Sequence, residues 1–501
     1  MQLTPDRSSW LNYRTVWRWH FYAGLFCIPF VIWLSVTGSV YLFKPQIERW
    51  LDRPYDSLRI VGPRATAEAQ VQAALAAVPG SSLHFFELPR SAISASRVIV
   101  GREATEFRVY VHPQTLQVLH IVAEDRRPMR IVFRLHGELL LGDTGSRIVE
   151  LAASWAIVMI LTGLYLWWPR QTEMLAGVLY LRLRSGQRIF WRDLHAVTGV
   201  WVSAFALFLL ITGLPWASGW GSYLKAARAL TGTKLVRQDW STGRSSEIAD
   251  RLAMNANSMA AMSMDHASTM DQSSTNQSTT DHAPMDHTEM DHTDMNPSVT
   301  GHSAPGHSAP GHSGPHLPSG PGAYTPLDRM IAVVTPLALA DPVLISPPQV
   351  QGGPWIVRSD AANRPLRSTL TLDARTGAIL RREDFGQRGA VDRLVGIGVA
   401  AHEGQLFGLL NQLLGLFTAI GLVLLSVSAV VLWWRRRAIG VLGAPLLNRS
   451  PNFSWSLAAL ILGFAVYLPM LGLSLAAVLI VERFLLRRLP SAQRWLGLKP
   501  V

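Results

Sequence analysis

Long uninterrupted runs of apolar residues divide this chain. Four of them lie near residues 21–43, 148–168, 194–216 and 409–434. A bilayer core of about 30 Å needs about 20 helical residues, so each run is long enough to cross it. The first run exceeds the 7–15 apolar residues of a signal peptide and ends in YLFKPQIERW, which offers no small-residue cleavage site. The pattern predicts four transmembrane helices and a retained first span.

A fifth apolar region covers about 454–482 and is too long for one ordinary span. Pro469 lies near its middle, and arginines flank both ends. We expect a helical hairpin that returns to the side from which it started. One long tilted helix is the alternative.

The composition agrees with a membrane protein. Of the 501 residues, 49% are apolar and 16% are charged, whereas about 25% are charged in a typical soluble domain. The one cysteine, Cys27, excludes an intramolecular disulfide and any zinc or iron–sulfur site built from several cysteines. The net charge of +12 lies beside the apolar spans, so it predicts a lipid bilayer rather than a nucleic acid as the partner.

The basic residues also predict the orientation. Arginines cluster before the first span, between the second and third, and after the fourth: Arg14, Arg18; Arg170, Arg182, Arg184, Arg188, Arg192; Arg435, Arg436, Arg437. By the positive-inside rule these places are cytoplasmic. The large segments 45–145 and 217–400 then lie outside, which in a bacterium means the periplasm.

The predicted organisation follows from these assignments. It comprises a cytoplasmic N-terminus with the first span, an external domain, the second span, a cytoplasmic loop, the third span, a second external domain, the fourth span and the C-terminal hairpin: 1–44, 45–145, 146–170, 171–193, 194–216, 217–400, 401–437 and 450–490.

The chain also repeats itself. In the first and third spans a glycine, a threonine and a second glycine follow a histidine at offsets of +4, +17 and +18: His20, Gly24, Thr37, Gly38 and His195, Gly199, Thr212, Gly213. A second set repeats around the second and fourth spans at +6, +26, +31 and +32: His136, Gly142, Thr162, Trp167, Trp168 and His402, Gly408, Ser428, Trp433, Trp434. The halves run in parallel and predict a pseudo-two-fold axis along the membrane normal.

That axis would place equivalent histidines opposite each other, with His20 facing His195 near the cytoplasm and His136 facing His402 near the periplasm. A histidine pair across a helix bundle is the arrangement that binds a b-type haem through its two axial positions. The sequence therefore predicts two haems. The alternatives are four interfacial histidines that cap bundle helices, or a metal site without haem, for which two imidazoles are an incomplete ligand set.

Further residues have predicted roles around these haems. Gly24 and Gly199 lie one turn after their histidines on the same helix face, where a missing side chain leaves room for a flat macrocycle. Arg18 and Arg192 at the inner site, and Arg134 at the outer site, are candidates to pair with haem propionates. A structural role is expected for Glu150 in the second span.

Several stretches resemble the PepSY-associated transmembrane family, the iron-regulated membrane protein group. They are RWHFYAGLF, LHGELLLGDTGSRIVEL, TGLYLWWPR, WRDLHAVTGVW, ITGLPW and HEGQLFGLLNQ with WWRRR. The external stretches RVYVHPQTLQVLH and LTLDARTGAILRRE resemble the strand–turn–strand end of a PepSY domain, with turns at 113–115 and 374–377. The expected fold class is an α-helical integral membrane protein: a four-helix core, a C-terminal hairpin and two periplasmic α+β PepSY-like domains.

The resemblance implies an inner-membrane, two-haem reductase that passes electrons outward to ferric iron, often held by a siderophore. The motif histidines of the family map onto His20, His136, His195 and His402. This chain departs from the pattern at Ser428-Ala429, where the other three spans have Thr-Gly. An insertion at 254–320 has no counterpart in the family pattern and leaves the substrate open.

The insertion is rich in polar residues and cannot bury a core, so we expect disorder. It contains 8 of the 15 histidines and 8 of the 14 methionines. Thioether and imidazole groups together suit copper. The candidate ligands for weak copper binding are Met264, His266, His282, Met285, His287, Met290 and His292. A polar linker without metal is the alternative.

The favoured function is transmembrane electron transfer from a cytoplasmic donor, through two haems, to a ferric siderophore or a cupric ion in the periplasm. A nucleotide-binding GxGxxG after a strand is not visible, so the donor must be another molecule. The alternative is a non-enzymatic protein that binds or sequesters metal through its His/Met-rich segment. A modulator of periplasmic proteolysis, on fold analogy alone, ranks last.

Overall fold

The computed structural model of the chain describes residues 13–103, 105–169, 175–230, 322–348, 352–445 and 455–498. The predicted copper ligands of the 254–320 insertion lie outside these residues.

The helices are α1 (Tyr13–Leu42), α2 (Lys44–Asp56), α3 (Ala67–Ala77), α4 (Pro128–Glu138), α5 (Gly142–Trp167), α6 (Gln187–Gly213), α7 (Ser218–Leu230), α8 (Pro326–Val334), α9 (Ala390–His402), α10 (Leu409–Arg436), α11 (Trp455–Tyr467), α12 (Pro469–Phe484) and α13 (Pro490–Trp495). The strands are β1 (Ser82–Glu87), β2 (Ser96–Arg102), β3 (Thr105–Val111), β4 (Val118–Ala123), β5 (Val343–Ser346), β6 (Trp355–Ser359), β7 (Ser368–Leu372) and β8 (Ile379–Asp384).

Four helices, α1, α5, α6 and α10, are long and apolar enough to cross a membrane. They coincide with the four runs expected from the sequence and confirm a multi-pass membrane protein. Helix α1 packs against α5 and α10, and α6 packs against the same two helices. The four therefore form a closed bundle in which α1 and α6 occupy diagonal corners.

The fifth apolar region is divided into α11 and α12, which contact each other. The two helices are separated at Leu468, and Pro469 is the first residue of the second helix. A proline at this position costs no helical hydrogen bond, because the first N–H groups of a helix have no partner within it. Leu468 and Leu471 pack against Ile157 of α5 and Leu214 at the end of α6. The junction of the two helices is thus buried against the bundle.

Both external segments contribute to one antiparallel sheet with the strand order β4-β3-β2-β1-β5-β6-β7-β8. The sequence treats these segments as two domains, but β1 of the first pairs with β5 of the second, with Phe86 opposite Ile345 and Glu87 opposite Leu344. This pairing covers the edge that each four-stranded half would otherwise expose. The turns expected at 113–115 and 374–377 join β3 to β4 and β7 to β8.

Helices α3 and α8 cover one face of the sheet. The strands send alternate side chains into this core, as in Trp355 and Val357 of β6 and Leu370 and Leu372 of β7, all at most 1% exposed. Period-two burial is the pattern of a strand with one buried face. The sheet therefore has its own apolar core, separate from the bundle.

A buried ionic cluster ties the sheet to α2, which follows α1 directly. Arg97 on β2 is 1% exposed and contacts Asp56 of α2 at 2.7 Å and Asp52 at 3.3 Å. Glu87 on β1 pairs with Arg108 on β3. Removal of one member of such a buried pair leaves an uncompensated charge, so this cluster fixes the sheet relative to the end of α1.

Candidate functional site

The two diagonal helices of the bundle bring His20 and His195 together. Their ring centroids lie 6.3 Å apart, and the ring planes are nearly perpendicular, at 80°. His20 belongs to α1 and His195 to α6, so the pair spans the centre of the bundle. We refer to these two residues as the inner pair.

A neighbouring helix orients each inner ring. The Nδ1 atom of His20 lies 3.0 Å from the carbonyl oxygen of Met159 and 3.2 Å from Thr162 Oγ1 on α5. A carbonyl oxygen can only accept, so Nδ1 carries the proton and donates. The remaining ring nitrogen, Nε2, then has a lone pair available for a metal.

His195 is held in the same way by α10. Its Nδ1 atom lies 3.2 Å from the carbonyl oxygen of Leu425 and 3.2 Å from Ser428 Oγ. Both inner imidazoles therefore have the tautomer that leaves Nε2 free of a proton. Hydrogen bonds that fix the far ring nitrogen are the usual support of metal-binding histidines.

A second pair, the outer pair, consists of His136 at the end of α4 and His402 at the end of α9. Their ring centroids are 6.4 Å apart, with an interplanar angle of 74°. The Nδ1 atom of His136 lies 3.0 Å from Thr37 Oγ1, and that of His402 lies 3.1 Å from Thr212 Oγ1. The outer pair thus repeats the geometry of the inner one.

The threonine hydroxyls settle the direction of these bonds. Thr37 Oγ1 donates to the carbonyl of Trp33 at 2.9 Å, and Thr212 Oγ1 donates to that of Phe208 at 2.7 Å, each within its own helix. A hydroxyl has one proton, so its oxygen must accept from the imidazole. Nδ1 is the donor in the outer pair as well.

Burial favours the neutral form of both outer rings. Desolvation, together with the neighbouring His402, lowers the pKa of His136 to about 4. Desolvation also lowers the pKa of His402 below its ordinary value. A neutral imidazole is the form that binds metal ions.

The small residues after the hydroxyls have a clear role. A Cβ atom added at Gly163 would lie 3.0 Å from Cε1 of His20, one at Gly38 would lie 3.1 Å from Cε1 of His136, and one at Gly213 would lie 3.3 Å from Cε1 of His402. Each Thr-Gly dipeptide therefore provides a hydrogen-bond acceptor and the space for a histidine ring from another helix.

These dipeptides belong to the sequence repeat, but the repeat alone does not indicate their role. The signal was present, because Thr-Gly recurs at fixed offsets from the histidines. What the sequence lacks is the pairing between helices: Thr37 precedes His136 by 99 positions. The fourth dipeptide is Ser428-Ala429, and its hydroxyl keeps the contact to His195.

The glycines that were expected to make room for a macrocycle have few neighbours. A Cβ atom at Gly24 would meet only Met159 Sδ, at 3.9 Å, and one at Gly199 would meet only Leu425 Cδ2, at 3.6 Å. At Gly142 and Gly408 nothing of the described chain lies within 4 Å. These positions leave space beside both pairs, and their contact with a cofactor stays a prediction.

The three predicted propionate partners have protein contacts instead. Arg18 donates to the carbonyl of Gly497 at 3.0 Å, Arg192 Nη2 lies 2.6 Å from Asp193 Oδ1, and Arg134 Nε lies 3.7 Å from Glu138 Oε2. Their role toward a cofactor also stays a prediction.

Glu150 has a structural role in the described residues. It is 2% exposed, and its Oε2 atom accepts hydrogen bonds from the backbone N–H groups of Gly219 and Trp220, at 3.0 and 3.1 Å. These N–H groups belong to the first turn of α7 and have no partner within their own helix. The carboxylate therefore anchors α7 to α5.

The separation of the rings fits one metal ion per pair. Nitrogen–metal bonds of about 2.0–2.1 Å, with each nitrogen about 1.15 Å from its ring centroid, place two collinear imidazoles about 6.4 Å apart. The two observed separations agree with this value. Within the described ranges there is no cluster of three or more His, Cys, Asp or Glu that could hold a metal ion. Two imidazoles alone suit an ion whose other ligands come from elsewhere.

The two pairs lie near opposite ends of the bundle. Gly38, which contacts the ring of His136, follows His20 by 18 residues on the same helix. At 1.5 Å per residue this is about 27 Å, close to the hydrocarbon thickness of about 30 Å. The arrangement places one histidine pair near each end of a bundle that is long enough to cross a membrane.

Comparison with curated proteins finds no match to the chain. A family model, the PepSY-associated TM region, matches residues 17–436. This range includes the four histidines of the two pairs, the four long helices except for the first residues of α1, and both external segments. The chain therefore belongs to the PepSY-associated transmembrane family.

Proposed function

We propose that this protein carries electrons across a membrane through two b-type haems, one held by His20 and His195 and the other by His136 and His402. The observation that supports the proposal best is the shared geometry of the two pairs: centroids 6.3 and 6.4 Å apart and all four Nδ1 atoms bonded to a neighbouring helix. When bound, haem supplies an iron that takes up and releases one electron.

Haem fits the donor set better than a bare ion does. Two neutral imidazoles leave most of the coordination sphere of iron or copper unfilled. A porphyrin provides four nitrogens in one plane and needs only the two axial ligands that each pair offers. The space beside Gly24 and Gly199 is consistent with a flat ring at the inner pair.

The protein's own side chains prepare these sites. The hydroxyls of Thr162 and Ser428 hold the inner rings in the metal-binding tautomer, and Thr37 and Thr212 do the same for the outer rings. Fixed ligands reduce the rearrangement that accompanies a change of charge at the site.

We further propose that the two halves are parallel repeats about an axis along the membrane normal and that the membrane is the bacterial inner membrane. The strand order supports the repeat, because β1 and β5 lie at the centre and the other strands follow symmetrically. The arginine clusters support a cytoplasmic inner pair and a periplasmic sheet. Electrons would then move from a cytoplasmic donor to a periplasmic acceptor.

The resemblance of the sequence motifs to the iron-regulated membrane protein group favours ferric iron in a complex, such as a ferric siderophore, as the acceptor. The Met-Asp-His triplets of the insertion favour cupric copper, because thioether and imidazole groups bind copper well. In either case a metal ion outside the membrane gains one electron and the cytoplasmic donor loses it.

An absorption spectrum of the purified protein, with haem available during expression, tests the proposal. We expect a Soret band and two haems per chain. The variant His195→Ala should lose the inner haem and stop outward electron flow, while His120→Ala, a histidine on β4, serves as the control and should keep both haems. Wild-type protein without a Soret band would rule out the proposal.

A second candidate function is non-enzymatic binding of metal by the 254–320 segment, favoured by its seven candidate ligands. Deletion of 260–316 separates the two. The electron carrier should keep both haems and change only its response to copper. A chain that needs the insertion for haem binding would contradict the division into a haem core and a metal-binding insertion.

A further inference from the structure

Trp216, at the end of the third span, packs against the outer pair. Its ring centroid lies 6.4 Å from that of His402, and the two ring planes are inclined by 35°. On its other side it contacts Phe133 of α4, with centroids 5.7 Å apart. The indole therefore forms part of the wall of the outer site.

The polar atom of this side chain has no acceptor. Trp216 Nε1 is buried, and within the described residues no hydrogen-bond partner lies near it. Buried donors in native proteins are paired almost without exception, so an unpaired one indicates a partner that is not among the described residues. The position beside His402 makes a ligand of the outer site that partner.

A cation lies over the same indole. The guanidinium carbon of Arg364 is 5.7 Å from the Trp216 ring centroid. The Arg364 side chain is 4% exposed and lies 3.8 Å from a carboxylate oxygen of Glu403, the residue after His402. Arg364 comes from the external segment between β6 and β7, so the sheet domain delivers this charge to the outer site.

The first half of the chain offers an equivalent group. Tyr41 follows His20 by 21 residues, as Trp216 follows His195. Its ring lies 5.7 Å from Phe133, which thus contacts both aromatic residues, and Lys44 Nζ lies 5.8 Å from the Tyr41 centroid. Each half therefore places an aromatic ring with a polar tip beneath a cation at the same end of the bundle.

We propose that Trp216 with Arg364, and Tyr41 with Lys44, are the two carboxylate-binding groups of the outer haem. This inference rests on the proposed function. A haem has two carboxylates, and a carboxylate is bound best by an N–H or O–H donor together with a cation. Arg134, which lies 3.7 Å from Glu138, is not part of this assignment, and its pairing with a propionate stays a separate prediction.

The variant Trp216→Phe tests the inference, because it keeps an aromatic ring at this position and removes the N–H donor. It also removes part of the indole, a loss that the matched control below shares. Without that donor the carboxylate charge is less compensated, which favours the ferric state. We expect a redox titration of the purified protein to show a lower midpoint potential for one haem and an unchanged potential for the other.

The matched control is Trp155→Phe. Trp155 is an intramembrane tryptophan of α5 whose Nε1 atom donates to Ser474 Oγ at 3.1 Å. The Trp155→Phe variant should leave the midpoint potentials of both haems unchanged. The variants Tyr41→Phe and Arg364→Gln should lower the same potential that Trp216→Phe lowers, and Arg364→Lys, which keeps the charge, should lower it less.

Two results would overturn the inference. In the first, the midpoint potentials of both haems in Trp216→Phe and Arg364→Gln equal those of wild-type protein. In the second, the potentials of both haems shift together, as a general packing effect would produce. Either result leaves the haem proposal intact, because that proposal fails only if wild-type protein binds no haem. The two failures are therefore distinguishable in one preparation.

Discussion

Arg18 Nη1 donates a hydrogen bond of 3.0 Å to the carbonyl oxygen of Gly497, so the C-terminal end of the chain closes on the helix that carries His20. Tyr22, on the other side of His20, donates to the carbonyl of Leu496 at 2.5 Å. The Trp495 carbonyl accepts from the backbone N–H of Leu442. The three consecutive carbonyls of Trp495, Leu496 and Gly497 thus fasten the C-terminal end to α1 and to the segment that follows α10.

Removal of residues 490–501 should expose the inner site. The contacts to Arg18 and Tyr22 would be replaced by water, and a small reductant could approach the inner haem more closely. We expect faster haem reduction by a membrane-impermeant reductant in inverted vesicles. Tyr22→Phe, which removes one of the contacts, should give a smaller increase, and an unchanged rate in the truncated chain would contradict a covering role.

Thr37→Val should weaken the outer site selectively. Valine keeps the shape of threonine but cannot accept from Nδ1 of His136. Loss of such a supporting hydrogen bond typically costs 10–100-fold in affinity for the metal group. The rate at which haem transfers from each variant to an acceptor protein measures this loss of affinity.

The control is Thr418→Val on α10, because the Thr418 hydroxyl, 1% exposed, donates to the Leu414 carbonyl of its own helix. Equal haem retention in both variants would show that the Thr37 hydroxyl does not support the ligand.

Gly163→Ala should disturb the inner site more than Gly213→Ala disturbs the outer one. The added Cβ atom would lie 3.0 Å from His20 at the first position and 3.3 Å from His402 at the second. The His20 ring must move by a few tenths of an ångström, which lowers haem occupancy.

Gly463→Ala on α11 is the control, since no atom of the described chain lies within 4 Å of its added Cβ. There the gain of about 1 kcal/mol in helix propensity should prevail. Haem counts that do not distinguish the three variants would speak against close packing of glycine on the rings.

The sheet domain should lose stability on acidification through Glu124. Burial alone would raise the pKa of this carboxyl, but Arg108 and Arg127 beside it lower the pKa to about 2, from 4.5. A carboxyl with a lowered folded pKa stabilises the protein above its unfolded pKa. That contribution is therefore lost as the pH falls from about 4.5 toward 2.

Glu124→Gln should remove part of this pH dependence and cost on the order of 1–3 kcal/mol near neutral pH. Thermal unfolding at several pH values measures both. Glu383→Gln is the comparison, because its partner Arg381 is 74% exposed and such surface pairs contribute about 0–1 kcal/mol. Identical pH profiles for Glu124→Gln and wild-type protein would be inconsistent with this account.

The sequence predicts the parts that depend on local pattern. The length of the apolar runs predicts the four long helices, and the repeated spacing predicts which histidines meet. Both signals can be read from the order of residues along the chain. The sequence does not predict which helix orients which ring. Thr162 contacts Nδ1 of His20, and Thr37 contacts Nδ1 of His136, because distant segments pack together. The contact of Arg18 with Gly497 bridges 479 positions and leaves no periodic trace.

The sequence pattern also does not predict that the two external segments share one sheet. Each external segment has its own strand–turn–strand signature, and alternation predicts strands but not their partners. The union depends on two register pairs, Phe86 with Ile345 and Glu87 with Leu344. Such pairing depends on the three-dimensional positions of both segments, which the alternation along one strand does not specify.

The antiparallel union of β1 with β5 has a consequence for any half of this molecule produced alone. A fragment ending before α6 would present β1 as a bare edge, and a bare edge is a template for another strand. Because β1 and β5 run in opposite directions, two such fragments could join through a two-fold axis and rebuild an eight-stranded platform with four helices beneath it. Because one polypeptide joins the two halves, each first half pairs with a second half rather than with a copy of itself. The second half can therefore carry features that the first lacks, such as the 254–320 insertion.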